Sequence, residues 1–245
     1  MSKRLNTPIP PTASMEDWTD VLIEECGEDF VRLDNWMPEK IIVSPAYYLK
    51  GIKGAMPFCY ARMGVAERLL KAANSLPKGY KLLIWDVWRP LEVQQILFQD
   101  YFWQLKSMFP RKSEALLRQE VIKFVSEPSG DLLKPSPHFT GGAVDLTIID
   151  SDGNELDMGT GFDFFGEMAH TDYFELRKGL TPFEAREEHI LEHRRMLYTA
   201  MTRAGFSNYP LEWWHYDYGN QFWGKRTSNT AFYGGKTPPQ IPFNS

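Results

Sequence analysis

Cysteine is scarce in this chain: only Cys26 and Cys59 occur in 245 residues. Two thiols are too few for a disulfide scaffold, and their spacing is not the CxxC of a zinc or redox motif. Both read as reduced, buried thiols, with a single bridge between them as the alternative. Long apolar runs are also missing. Nothing approaches the roughly 18 apolar residues of a membrane-spanning helix, and the opening MSKRLNTPIPPTASMEDW has basic residues but no apolar core of a signal sequence. The expectation is a soluble, cytoplasmic protein without membrane contact. An excess of positive charge is absent too: 27 Lys and Arg stand against 32 Asp and Glu, for a net charge of −5. With the two signs intermixed there is no broad cationic field for a phosphate backbone, so nucleic acid is excluded as the expected partner and a small neutral or zwitterionic molecule is favoured. No repeat or low-complexity linker divides the chain. It reads as a single domain over 1–245, with proline-rich arms at TPIPPT near the start and GGKTPPQIP near the end.

What is present is globular. Hydrophobic residues make up 43% and aromatics 14%, with eight tryptophans available to line a pocket. Apolar residues return at three- and four-residue steps over 61–75, 91–108, 113–125 and 182–204, which predicts four helices. Short runs rich in β-branched and aromatic residues at 81–87 (KLLIWDV), 143–149 (AVDLTII) and 212–218 (EWWHYDY) predict strands. These elements cluster rather than alternate, which points to an α+β fold with a small, mainly antiparallel sheet and flanking helices.

Histidine is the next scarce residue, with five in the chain. One of them, His138, stands seven residues before Asp145 in SPHFTGGAVDL. Period-two alternation sets Ala143, Asp145 and Thr147 on one strand face and Val144, Leu146 and Ile148 on the other, so Asp145 faces a cleft or water. Gly141-Gly142 lets the backbone curl so that the imidazole folds back toward the carboxylate. Taken alone, a loop histidine and a strand-edge acid explain the pair as well. His215 could complete a His, His, Asp set that leaves a coordination position open, as a catalytic zinc site requires, with Glu212 as the base. A regular strand sends residues three apart to opposite faces, so an irregularity is expected at Trp213-Trp214. At the end of the first strand, Pro90 leaves Arg89 at a cleft rim with Asp86 beside it, although a structural ion pair would read the same way. A competing metal pattern, HxxEH at His189–His193, shares a helix face but lacks a downstream acid on a further helix. Flanked by Glu187, Glu188, Arg194 and Arg195, it reads as a solvated helix face, and His170 reads as a loop histidine.

Together, SxHxxGxAxD, ExWH and the strand-terminal WRP arginine resemble the zinc D-alanyl-D-alanine dipeptidases, the VanX-like branch of the DD-peptidases, over roughly residues 80–220. The resemblance implies one Zn²⁺ per chain on His138, Asp145 and His215, Glu212 as general base and acid, and Arg89 at the developing oxyanion. It also implies that Asp163, closing DMGTGFD, receives the ammonium of a dipeptide substrate, and that Ser136 contacts the substrate's carboxylate end. The implied function is hydrolysis of D-alanyl-D-alanine or a related D,D-dipeptide. The alternatives are a D,D- or L,D-carboxypeptidase trimming peptidoglycan stem peptides and a non-catalytic zinc-binding module. The first 60 residues and the tail beyond Asn220 carry none of these motifs.

Overall fold

A computed structural model describes residues 5–11 and 14–239. Parts of both proline-rich arms, Thr12 in the first and 240–242 in the second, lie outside the described residues. Two short strands, β1 (Phe30–Arg32) and β2 (Ile41–Val43), and the single turn α1 (Ala46–Leu49) precede β3 (Tyr60–Arg62). Then come α2 (Met63–Ser75), β4 (Lys81–Asp86), α3 (Leu91–Met108), α4 (Glu114–Ile122) and β5 (Ala143–Ile149). The chain continues through α5 (Tyr173–Lys178), α6 (Ala185–Ala204), β6 (Ser207–Asn208), β7 (His215–Asp217) and α7 (Gln221–Thr227). The main sheet has five strands in the order β2-β4-β5-β7-β6, and β1 pairs with β3 separately. Only β2 and β4 run parallel; the other pairings are antiparallel.

The alternation along β5 decides which side of the sheet does what. Val144, Leu146 and Ile148 enter a core that also holds Val65, Leu69 and Ala73 of α2 and Met196, Leu197 and Ala200 of α6. Those two helices cover one face. On the other, α3 and α4 pack on each other through Phe98, Phe102, Leu105, Leu117 and Val121, and the cavity lined by Asp145 opens beneath them. The four sequence-predicted helices all form. The last begins at Ala185 rather than 182, because Glu184 and Glu187 exchange side-chain and backbone bonds as a capping box. It ends at Gly205, whose φ of 108° stops the helix. The predicted strand 212–218 shrinks to three residues, since Glu212–Trp214 forms a turn in which the His215 amide donates to the Glu212 carbonyl at 3.3 Å.

Two arginines depart from the solvated role that arginine usually has. Arg194, expected on an exposed face, is buried and donates to the carbonyls of Met158, His170 and Met168 at 2.8, 2.6 and 2.6 Å. Burial pulls its pKa down to about 9. It holds the loop that carries Asp163 onto α6. Arg62, fully buried, donates to the carbonyls of Thr140, Glu28 and Gly234 and pairs with Glu25 at 3.0 Å. It therefore clasps segments from both ends of the chain to the loop bearing His138. Both cysteines are free as expected, but only Cys59 is buried; Cys26 is exposed. Among the described residues, no helix is long and apolar enough to cross a membrane.

Candidate metal centre

Three adjacent strands deliver the site as a row. In register, Asp86 of β4 stands opposite Asp145 of β5, which stands opposite His215 of β7. The register shifts between Ile84 and Asp86. Without this bulge Asp86 would sit opposite Val144 and face the helical core; the one-residue slip turns it toward Arg89 and the His138 ring, behind the cavity. His138 comes from a short 3-10 turn, Pro137–Thr140, that ends on Gly141 at φ 70°. A β-carbon there would meet the Phe30 ring at 2.3 Å, and one on Gly142 would meet the Tyr218 carbonyl at 2.5 Å. The two glycines are thus needed for the close passage that returns the histidine over β5.

Hydrogen bonding fixes which nitrogen of His138 is free. His138 Nδ1 lies 2.7 Å from the Val87 carbonyl, which can only accept, so Nδ1 carries the proton and Nε2 presents a lone pair. His215 has a carboxylate on each side, Asp217 at 3.1 Å from Nε2 and Asp145 at 3.0 Å from Nδ1; donation from Nε2 to Asp217 would leave the Nδ1 lone pair for a metal. Both rings converge on Asp145: His138 Nε2 is 3.3 Å from Oδ2 and His215 Nδ1 is 3.0 Å from Oδ1. Two imidazole nitrogens and a buried carboxylate aimed at one another form a set that protons or a metal ion can complete. Potential ligand atoms of the three residues all lie within 4.8 Å of one another. Two nitrogens and one oxygen suit a divalent transition metal, so the residues fit the ion that the motif implied. Although burial pushes the Asp145 carboxyl up, the His138 and His215 rings, when they hold the protons a metal would displace, outweigh it and keep the group well below the usual range. The HxxEH pattern has no such convergence: His193 Nδ1 is engaged by the Asp157 carbonyl at 2.8 Å.

Glu212 is buried beside this set, with Oε2 3.8 Å from His215 Nδ1. The turn at Trp213-Trp214, where an irregularity was expected, lets residues 212 and 215 serve one cavity. Burial raises the Glu212 pKa well above its ordinary value. Arg89 is locked from several sides, by Asp86 at 2.8 Å, Gln94 at 2.7 Å, and Tyr47 and Asp145 at 3.4 Å each. Gln94 is in turn held by the Ser126 carbonyl at 2.7 Å. A planar guanidinium fixed in this way has little freedom left to lose when a substrate oxygen arrives.

Asp163 also lines the cavity, at φ 62°, with Oδ1 accepting from the Tyr47 hydroxyl at 3.1 Å and Oδ2 paired with Lys50 at 2.6 Å. Burial raises its pKa, against the pull of Lys50. Ser136 lies just behind the cavity wall, next to Pro137, which lines it. Its hydroxyl accepts from the Ser129 amide and donates to the Glu127 carbonyl, both at 3.0 Å, and it is not among the cavity-lining residues. It fastens the loop before His138, while Ser126 reaches the cavity wall. The sequence reading missed Tyr47, Lys50, Gln94 and Asp217; of these only Asp217 left a signal, as the acid two residues after His215 on the same strand face.

Asp217 gives a direct check on the imidazole assignment. Replacing it with Asn removes the charge that holds the His215 proton on Nε2, and metal affinity is expected to fall about 10- to 100-fold. A competition titration with a chromophoric chelator measures this; unchanged affinity would mean that His215 is not a ligand through Nδ1.

The cavity holds about 280 Å³ and is walled by Tyr47, Trp214, Phe165 and Tyr209 around the polar row. A model of the family described as D-ala-D-ala dipeptidase, Peptidase_M15, matches residues 53–232. That range includes every residue of the row and reaches past Asn220, further than the sequence motifs alone. A D-alanyl-D-alanine dipeptidase of Synechocystis is 27% identical over 244 residues, covering 89% of this chain and 90% of its own length. One of Enterococcus faecium is 35% identical over 156 residues, covering 62% of this chain and 69% of its own. One of Escherichia coli is 32% identical over 139 residues, covering 57% and 55%.

Proposed function

The chain belongs to the D-Ala-D-Ala dipeptidase family of metallopeptidases, and from that premise we propose that it hydrolyses free D-alanyl-D-alanine, with one zinc ion held by His138, Asp145 and His215. The observation that carries the proposal is the pair of imidazole nitrogens meeting one carboxylate, with a buried glutamate alongside. Zinc bound there would act as a Lewis acid toward the peptide carbonyl and make water more acidic. Oε2 of Glu212 takes the proton of the attacking water and passes it to the amine as the C–N bond breaks. The raised proton affinity of this buried carboxyl suits a group that must hold the proton between those two moments. Arg89 faces the carbonyl oxygen as it becomes anionic, and its fixed position supplies the charge without reorganisation.

Asp163 and Tyr47 form the end of the cavity that receives the substrate's ammonium. An acid in that place selects for a free amino terminus, because an acylated amine would leave the carboxylate without its cation. Toward the opposite end, Ser126 on the cavity wall and Ser136 behind it supply hydroxyls for the substrate's carboxylate. A purely structural metal module is not favoured, since it has no use for Glu212 or for a locked Arg89.

One observation favours a second reading, a D,D-carboxypeptidase acting on longer peptides. A groove of about 1110 Å³ shares Tyr101, Phe124, Ser126, Phe165, Tyr209 and Phe222 with the cavity, so room for a longer chain adjoins the site. Release of D-alanine from D-Ala-D-Ala, L-Ala-L-Ala and N-acetyl-D-Ala-D-Ala separates the two readings. The dipeptidase cleaves only the first; turnover of the acetylated compound at a comparable rate would favour the carboxypeptidase, and turnover of the L,L compound alone would sink both.

A further inference from the structure

The ammonium subsite is already filled, and by this chain itself. Tyr47 lies in α1 and Lys50 caps it, so the two side chains, three residues apart, rise on the same side of one helical turn. Asp163 meets both. Its Oδ2 takes the Lys50 ammonium at 2.6 Å, and that ammonium also sits 5.0 Å from the Phe162 ring centroid and 5.3 Å from that of Tyr47. A carboxylate flanked by aromatic faces is a receptor for a primary ammonium of any origin. The carboxylate is three-quarters enclosed and held in a left-handed backbone conformation that few non-glycine residues adopt. The lysine is different: half of its side chain is exposed and its stem reaches in from the rim, so it can swing out to solvent without disturbing the packing. Lys50 and the amino end of a dipeptide offer the same chemical group to the same acceptor.

We propose that Lys50 is a tethered competitor for the substrate's amino group, occupying the Asp163 subsite in the unliganded protein and leaving it when a free dipeptide enters. The inference rests on the reading of Asp163 as the ammonium acceptor. Displacement exchanges one ammonium for another, so the subsite never holds an unpaired buried carboxylate, with or without substrate. A molecule lacking a free ammonium cannot drive the exchange: it would have to strip Lys50 away and leave Asp163 bare, or bind with the plug in place and part of the cavity blocked. The lysine thus sharpens selection for a free amino terminus and makes binding weaker than the cavity alone would allow.

Steady-state kinetics of the metal-loaded protein on D-Ala-D-Ala test this with four variants. Lys50→Met removes the competing charge and keeps the stem, and KM is expected to fall about two- to fivefold, the scale of a half-exposed ion pair. The kcat value is not reduced, because Lys50 has left the site before chemistry begins. Lys50→Arg keeps a cation within reach of Asp163 and returns KM toward the wild-type value. Asp163→Asn raises KM, and in the Lys50→Met, Asp163→Asn double variant the benefit of removing the lysine disappears. If Asp163→Asn raises KM while Lys50→Met leaves it unchanged or raises it, the competitor proposal is wrong and the subsite assignment stands. If Asp163→Asn leaves KM unchanged, the subsite assignment itself fails.

Discussion

Glu212→Ala is expected to abolish hydrolysis of D-Ala-D-Ala while the protein keeps its metal. The expected fall in kcat is about 10²–10⁴, the usual contribution of a positioned general base. The geometry makes the two halves of this outcome separable. Glu212 approaches only the edge of the ligand set, at 3.8 Å from His215 Nδ1, whereas His138, Asp145 and His215 present their atoms to one another. Removing the glutamate therefore leaves the cation's ligands in place and takes away the proton carrier. Elemental analysis of the variant after gel filtration gives the metal content, and single-turnover kinetics give the rate. Wild-type turnover by a metal-replete variant would remove Glu212 from the mechanism; loss of both metal and activity would make it a ligand rather than a base.

Stripping the metal is expected to cost both activity and stability. Without a cation the lone pairs of His138 Nε2 and His215 Nδ1 point at the buried Asp145 carboxylate, an arrangement that must take up a proton or move apart. Dialysis against a chelator should reduce turnover to background, and zinc should restore it. An ion at about 100 times its Kd stabilises the native state by about 2.7 kcal/mol. For a chain of this size that corresponds to a drop of about 5–10 °C in Tm on removal. Differential scanning calorimetry in the presence and absence of the chelator measures the drop. Activity that survives exhaustive chelation would refute the metal centre, and restoration by a hard cation such as magnesium but not by zinc would refute the choice of ion.

Much of this centre was legible before any coordinates, for a specific reason. Asp145 lies in a seven-residue strand whose alternation is unbroken, so its face could be assigned, and the Gly141-Gly142 pair marked the turn that returns His138. The Trp213-Trp214 irregularity followed from asking how residues 212 and 215 could share one site. What stayed hidden depends on contacts between distant segments. Tyr47 and Lys50 ride on a four-residue helix with no periodicity to detect, and their meeting with Asp163 spans more than a hundred residues. The backbone bonds of Ser136 were hidden as well, since a serine hydroxyl that bonds neighbouring backbone looks the same in sequence as one that does not. Arg194 reads as a surface residue because composition marks it as charged, and nothing local reveals the three carbonyls that receive it. The short strands β1, β2 and β3 were missed because three residues are too few to establish alternation.

The Arg62 clasp ties His138, the first of the proposed metal ligands, to the far end of the polypeptide. The guanidinium reaches the Gly234 carbonyl and the Thr140 carbonyl at once, Trp88 Nε1 donates to the Lys236 carbonyl at 2.8 Å, and the Lys236 amide lies 3.4 Å from the Phe139 carbonyl. Residues 231–236 thus brace the turn on which His138 rides, although no chemistry is assigned to them. Shortening the chain from its carboxyl end, or fusing a bulky partner close behind Lys236, would be felt first as a looser grip on the ion and only later as a failure to fold.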